Sequence, residues 1–81
     1  MTVTVQFFSY LKELSGADLA EFELPEASTV QTLLHHVWQR FPQAAKMSQS
    51  TLVALHMEYA ARDQILHDQD QIALFPPVQG G

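Results

Sequence analysis

The chain ends Phe75-Pro76-Pro77-Val78-Gln79-Gly80-Gly81. A Gly-Gly end by itself is ordinarily a loose terminus. Here it follows a strand-like run and a stiff Pro-Pro spacer, so the α-carboxylate of Gly81 stands on an arm with no side chain near its tip. An α-carboxyl has a pKa of about 3.3–3.7, so it is ionised at neutral pH and resists nucleophiles. It must be activated before it can carry anything. Glycine has no Cβ and reaches backbone angles closed to other residues, so Gly80 and Gly81 suit a narrow channel. Pro76 and Pro77 restrict the arm and lower the entropy lost on insertion. Six residues follow Phe75, a reach of roughly 20 Å at about 3.3 Å per residue.

No rival chemistry stands out. Cysteine is absent, which removes thiol catalysis and cysteine-bound metal. Glycine-rich phosphate loops, a Ser-His-Asp set and paired carboxylates are not found. His35 and His36 are neighbours on a predicted helix and point apart, while His56 and His67 fall on other elements. Solvated or hydrogen-bonded histidines are the better reading, and no metal site is expected. Asp63, Asp68 and Asp70 lack a calcium-loop pattern and fit turn chemistry. Trp38, Met47 and Met57 read as packing residues. Phe75 has two readings of equal weight: core packing at a strand end, or an aromatic anchor against a partner.

The 81 residues make one small domain with a modest core. A composition 47% hydrophobic and 16% charged is that of a folded globular chain. The net charge is −5, without a basic cluster. Nucleic-acid binding and adhesion to an anionic membrane are therefore not expected. The acidic surface suits a partner with a basic rim. The lack of cysteine and of a signal-like N-terminus points to a cytoplasmic protein.

The elements that must hold the arm follow from periodicity. Residues 2–8 alternate, with Val3, Val5 and Phe7 on one side, which predicts a strand. A short helical turn over 9–16 closes at Gly16. Ala20, Phe22 and Leu24 alternate with Glu21 and Glu23 until Pro25 stops the second strand. Ser28 with Gln31 three residues later predicts a capped helix start. Val30, Leu33, Leu34, Val37, Trp38 and Phe41 form one helical stripe, ended by Pro42. Residues 43–50 read as a loop with a ragged turn. Leu52–Met57 is nearly continuous in apolar character, which predicts a central strand. Glu58 opens a turn, Tyr59–Ala61 forms a short edge strand, and 71–75 is the last strand. One amphipathic helix over a small mixed sheet gives an α+β two-layer domain, whose first two strands form an antiparallel hairpin. Residues 1–75 are read as the domain and 76–81 as a flexible arm.

This ββαβ order with a terminal Gly-Gly resembles the ubiquitin-like β-grasp fold. More narrowly, the chain resembles the small subunits of molybdopterin synthase, a family of sulfur carriers. The likeness rests on Val5-Gln6-Phe7-Phe8-Ser9-Tyr10-Leu11-Lys12-Glu13-Leu14-Ser15-Gly16, on Ser28-Thr29-Val30, and on residues 66–81. Phe75-Pro76-Pro77-Val78 leading through Gln79 to Gly80-Gly81, after Asp68-Gln69-Asp70-Gln71-Ile72-Ala73, is its most specific part. Lys12 stands where the family commonly has arginine, and His56 where it often has asparagine.

The resemblance implies that an ATP-dependent partner adenylates Gly81 and that a sulfur donor protein displaces AMP, leaving a thiocarboxylate. The large synthase subunit would bind the tail (Pro76, Pro77, Val78, Gln79 and Gly80) and contact Phe75. Sulfur would pass there to a cyclic pyranopterin, in a heterotetramer. The chain itself would be non-catalytic, with no cofactor of its own. Two alternatives stay open: a sulfur carrier for thiamine, tRNA or amino-acid thiolation, and a ubiquitin-like modifier joined to lysines.

Overall fold

A computed structural model describes residues 1–77. The elements in chain order are β1 (Thr2–Phe7), α1 (Tyr10–Ser15), β2 (Leu19–Glu23), α2 (Val30–Arg40), a 3-10 turn (Ala44–Met47), β3 (Leu52–Leu55), β4 (Glu58–Tyr59) and β5 (Gln71–Phe75). The five strands form one sheet in the order β2-β1-β5-β3-β4. β1 pairs antiparallel with β2 and parallel with β5, and β3 pairs antiparallel with both β5 and β4. With α2 packed on one face, this is the β-grasp arrangement.

Period-two alternation decides which face is covered. Val3, Val5 and Phe7 of β1 are buried, as are Ala20 and Phe22 of β2, Val53 and Leu55 of β3, and Ile72 and Leu74 of β5. The register sets Val5 beside Ala20 and Ile72, and Leu74 beside Phe7 and Val53. Val30, Leu33, Leu34 and Val37 of α2 lie against this layer. Leu11 is wholly buried, and Gly16 ends α1 in the left-handed region (φ 73) with its N–H on the Lys12 carbonyl, as expected.

Several local expectations are corrected. The cap of α2 is Thr29, not Ser28: Thr29 is extended (φ −99, ψ 170) and its Oγ1 accepts the Thr32 N–H at 3.3 Å. The Ser28 hydroxyl is already committed, donating to the Pro25 carbonyl at 2.7 Å. The strand expected through Met57 stops at Leu55. His56 and Met57 (φ 54 and 66) form the two-residue turn of the β3–β4 hairpin, in the left-handed geometry such hairpins favour. Glu58 therefore belongs to β4, which ends at Tyr59, so Ala60 and Ala61 lie beyond it. β3 is interior to the sheet but buries only alternate residues. The central strand is β5.

Candidate functional site

The strand that leads to the expected arm is β5. It lies between β1 and β3, and Phe75 at its end is opposite Leu52. The parity that buries Ile72 and Leu74 turns Phe75 to the face away from α2. It is half-buried there and lies outside the core. Its ring stacks on Phe8, with centroids 4.7 Å apart and an interplanar angle of 14°. Phe8 is held because its N–H donates to the Leu74 carbonyl at 3.1 Å, which extends the parallel β1–β5 ladder by one residue. At Ser9 the backbone turns sharply (φ 52, ψ −130) into α1. That conformation is unusual without glycine and is sustained by what surrounds it. Pro76 and Pro77 follow, both half-buried. The expected tail residues Val78, Gln79, Gly80 and Gly81 lie outside the described residues.

The uncovered face continues from Phe75. Leu19 of β2 is 59% exposed, Tyr59 of β4 is 74% exposed, and Met57 at the hairpin tip is 99% exposed. Together with Ala54, Ala73 and Phe75 they line a shallow trough of about 880 Å³. Thr4, Gln6 and Gln71 on β1 and β5 add polar, uncharged groups to its floor. Glu21 and Glu23 on β2 are exposed on the same side. The face is thus apolar near the arm, with an acidic flank along the edge strand. A surface of this kind is suited to a protein partner.

Two of these residues carried a legible signal that periodicity alone obscured. Leu19 and Tyr59 sit at outward positions of their strands, where polar residues are the rule. Phe8 had no such signal, because its role depends on the turn at Ser9.

Other side chains weighed from the sequence are dispersed. The His35 and His36 rings are 6.5 Å apart and nearly perpendicular. His56 Nε2 lies 3.3 Å from Oδ1 of buried Asp70, whose Oδ2 accepts the His67 N–H at 2.8 Å. Asp68 Oδ1 accepts the Thr2 N–H at 2.8 Å. Asp68 and Asp70 thus serve the turn before β5. Among the described residues, no group of three or more His, Asp or Glu is placed to hold a metal ion. Trp38 is half-buried against the core. Lys12 pairs with Asp18 at 2.8 Å, with both groups mostly in solvent, a geometry that contributes little to stability. No helix of the described residues is long and apolar enough to cross a membrane.

Comparison with known proteins agrees with this architecture. The model of the ThiS family matches residues 5–81. The molybdopterin synthase sulfur carrier subunit of Dictyostelium discoideum is 34% identical over 80 residues, spanning 95% of this chain and 93% of the relative. The protein of the same description from Escherichia coli is 32% identical, spanning 98% and 99%. The structure of a putative molybdopterin converting factor, subunit 1, from Pyrococcus furiosus superposes with a TM-score of 0.87 at 28% identity, covering 96% of this chain and 99% of that one. A family match that runs from β1 through the Gly-Gly tail, joined to relatives alike over nearly their whole lengths, places this chain in the ThiS family of β-grasp proteins.

Proposed function

We propose that the chain is the sulfur carrier of a molybdopterin synthase, with residues 1–75 as platform and 76–81 as arm. One observation carries this reading. The likeness to sulfur carrier subunits covers nearly the whole chain, with 34% identity over 95% of it, and the ThiS family match reaches Gly81. The Gly81 carboxylate attacks the α-phosphate of ATP in an adenylating partner, releasing pyrophosphate and forming an acyl adenylate. The outer sulfur of a donor persulfide then attacks the carbonyl carbon and AMP leaves, giving an acyl disulfide; a second thiol attacks the donor's sulfur, freeing the thiocarboxylate and leaving the donor as a disulfide. Each thiocarboxylate supplies one sulfur to a cyclic pyranopterin in the large subunit, so two carriers complete the dithiolene.

The residues fit their tasks. Gly80 and Gly81 let the tail pass where a side chain would block the reacting carbon. Val78 and Gln79, with the two prolines, bridge the platform and the reaction centre. Phe75, Leu19 and Tyr59 form the apolar seat of the large subunit, and the acidic flank speeds the approach of a basic partner.

Intact-mass measurement after co-expression with the cognate adenylating enzyme and sulfur donor tests the reading. The expected result is a sulfur-for-oxygen gain at Gly81, absent when Gly81 is deleted, while the circular dichroism of the deletion variant is unchanged. Lysine conjugates without that gain would overturn it. Reconstitution with the large subunit and pyranopterin then separates this route from thiamine, tRNA or amino-acid thiolation.

A further inference from the structure

Gln6 occupies a singular place on the uncovered face. Its β2 neighbour is Leu19, and its β5 neighbour is Ala73, two residues before Phe75. The adjoining pair on these strands carries the ladder bond from Phe7 N–H to the Asp18 carbonyl at 2.9 Å. Gln6 and Leu19 are therefore a non-hydrogen-bonded pair, the kind in which facing side chains stand closest. Gln6 is exposed, and among the described residues its carboxamide has no hydrogen-bond partner. It sits between Leu19 and Ala73, with the stacked Phe8–Phe75 pair next along the same face, and a protein that covers Leu19 and Phe75 together also covers Gln6.

Covering a carboxamide has a consequence that covering leucine does not. Its N–H₂ donors and its oxygen lose water, and unless the partner replaces those bonds the complex is weakened. We infer that Gln6 is a specificity-determining residue: the protein seated on Leu19 and Phe75 presents a donor–acceptor pair, such as an exposed peptide unit or carboxamide, to Gln6. A uniformly apolar surface is rejected there, because it leaves the amide dry and unpaired. Apolar contacts near the arm give the area, while Gln6 fixes which partner fits and in which register. Gln71, exposed on the same face beside Thr4, adds a second polar point of the same sense. The inference rests on this face being the seat of the large synthase subunit.

Calorimetric titration of the full chain with the cognate large subunit tests it. Gln6→Leu puts an apolar side chain, one atom shorter than glutamine, at this exposed strand position and removes the amide. Its expected affinity is about tenfold lower, with the melting temperature unchanged. Gln6→Glu removes the donor and weakens binding as well. Equal or tighter binding by Gln6→Leu overturns the role of Gln6 and leaves the proposed function standing. Absence of binding by the unsubstituted chain overturns both.

Discussion

The rings of Phe8 and Phe75 stack at 4.7 Å across the ends of two parallel strands that lie far apart in sequence. The end of β5 is thus tied to the end of β1 beyond their last ladder pair. An aromatic pair of this geometry contributes about 0.5–1.5 kcal/mol beyond its burial. Phe75→Ala loses the half-buried ring as well and should destabilise the domain by more than that in denaturant melts. If Phe75 is an anchor of the partner interface, it should also weaken large-subunit binding by about 2 kcal/mol or more. Phe8→Ala should show the first effect in similar measure. Equal binding by Phe75→Ala and the unsubstituted chain would remove Phe75 from the interface.

The cap of α2 gives a separate prediction. Thr29→Ala removes the acceptor for the Thr32 N–H and should cost about 1 kcal/mol. In a domain of this size, that corresponds to a melting temperature lower by about 4–8 °C. Thr29→Ser keeps the hydroxyl and should recover most of the loss. A neutral Thr29→Ala would mean that the cap adds nothing.

Arg40 guards the outer edge of the sheet. Its Nη1 donates to the Glu21 carbonyl at 2.8 Å, while its guanidinium lies 5.0 Å from the Phe22 ring centroid and 5.5 Å from that of Phe41. An edge carbonyl without such a cap invites pairing with another strand. Arg40→Ala should leave the fold intact by circular dichroism and produce concentration-dependent self-association in sedimentation velocity runs. A strictly monomeric Arg40→Ala would show that the cap is dispensable.

Asp70 ties the turn that launches β5. Its side chain accepts the His67 N–H, and its backbone carbonyl accepts the Thr4 N–H at 3.0 Å. Asp70→Ala leaves the His67 donor unpaired and should cost about 1–3 kcal/mol by denaturant unfolding. Asp70→Asn keeps an acceptor and should lose less. Equal losses by the two variants would place the contribution of Asp70 in its charge rather than in that bond.

Much of this was legible in the residues. The alternation in β1 and β2, the α2 stripe and the stop at Gly16 reflect local periodicity and backbone preference. The order of elements together with the tail motif pointed to the fold and family. Where sequence reading failed, a tertiary contact chose between locally similar options. Ser28 and Thr29 both carry hydroxyls, and the Pro25 carbonyl takes one of them out of play. His56 and Met57 continue an apolar run, yet β4 must fold back on β3, and that demands left-handed residues at the tip. The trough beside Phe75 was the least visible part, because it combines residues from all five strands, whose adjacency only the sheet order reveals.

The position of β5 ties folding to readiness. Without it, β1–β2 and β3–β4 are two hairpins with no strand between them. β5 is the last of the five strands to leave the ribosome, and it closes pairings with the very start of the chain. Such distant pairings form late. A nascent or damaged chain that has not joined its two halves has no firm base for the arm. An activating enzyme that reads the platform before it touches the tail would then load only finished molecules, and the topology itself would act as a proofreading step.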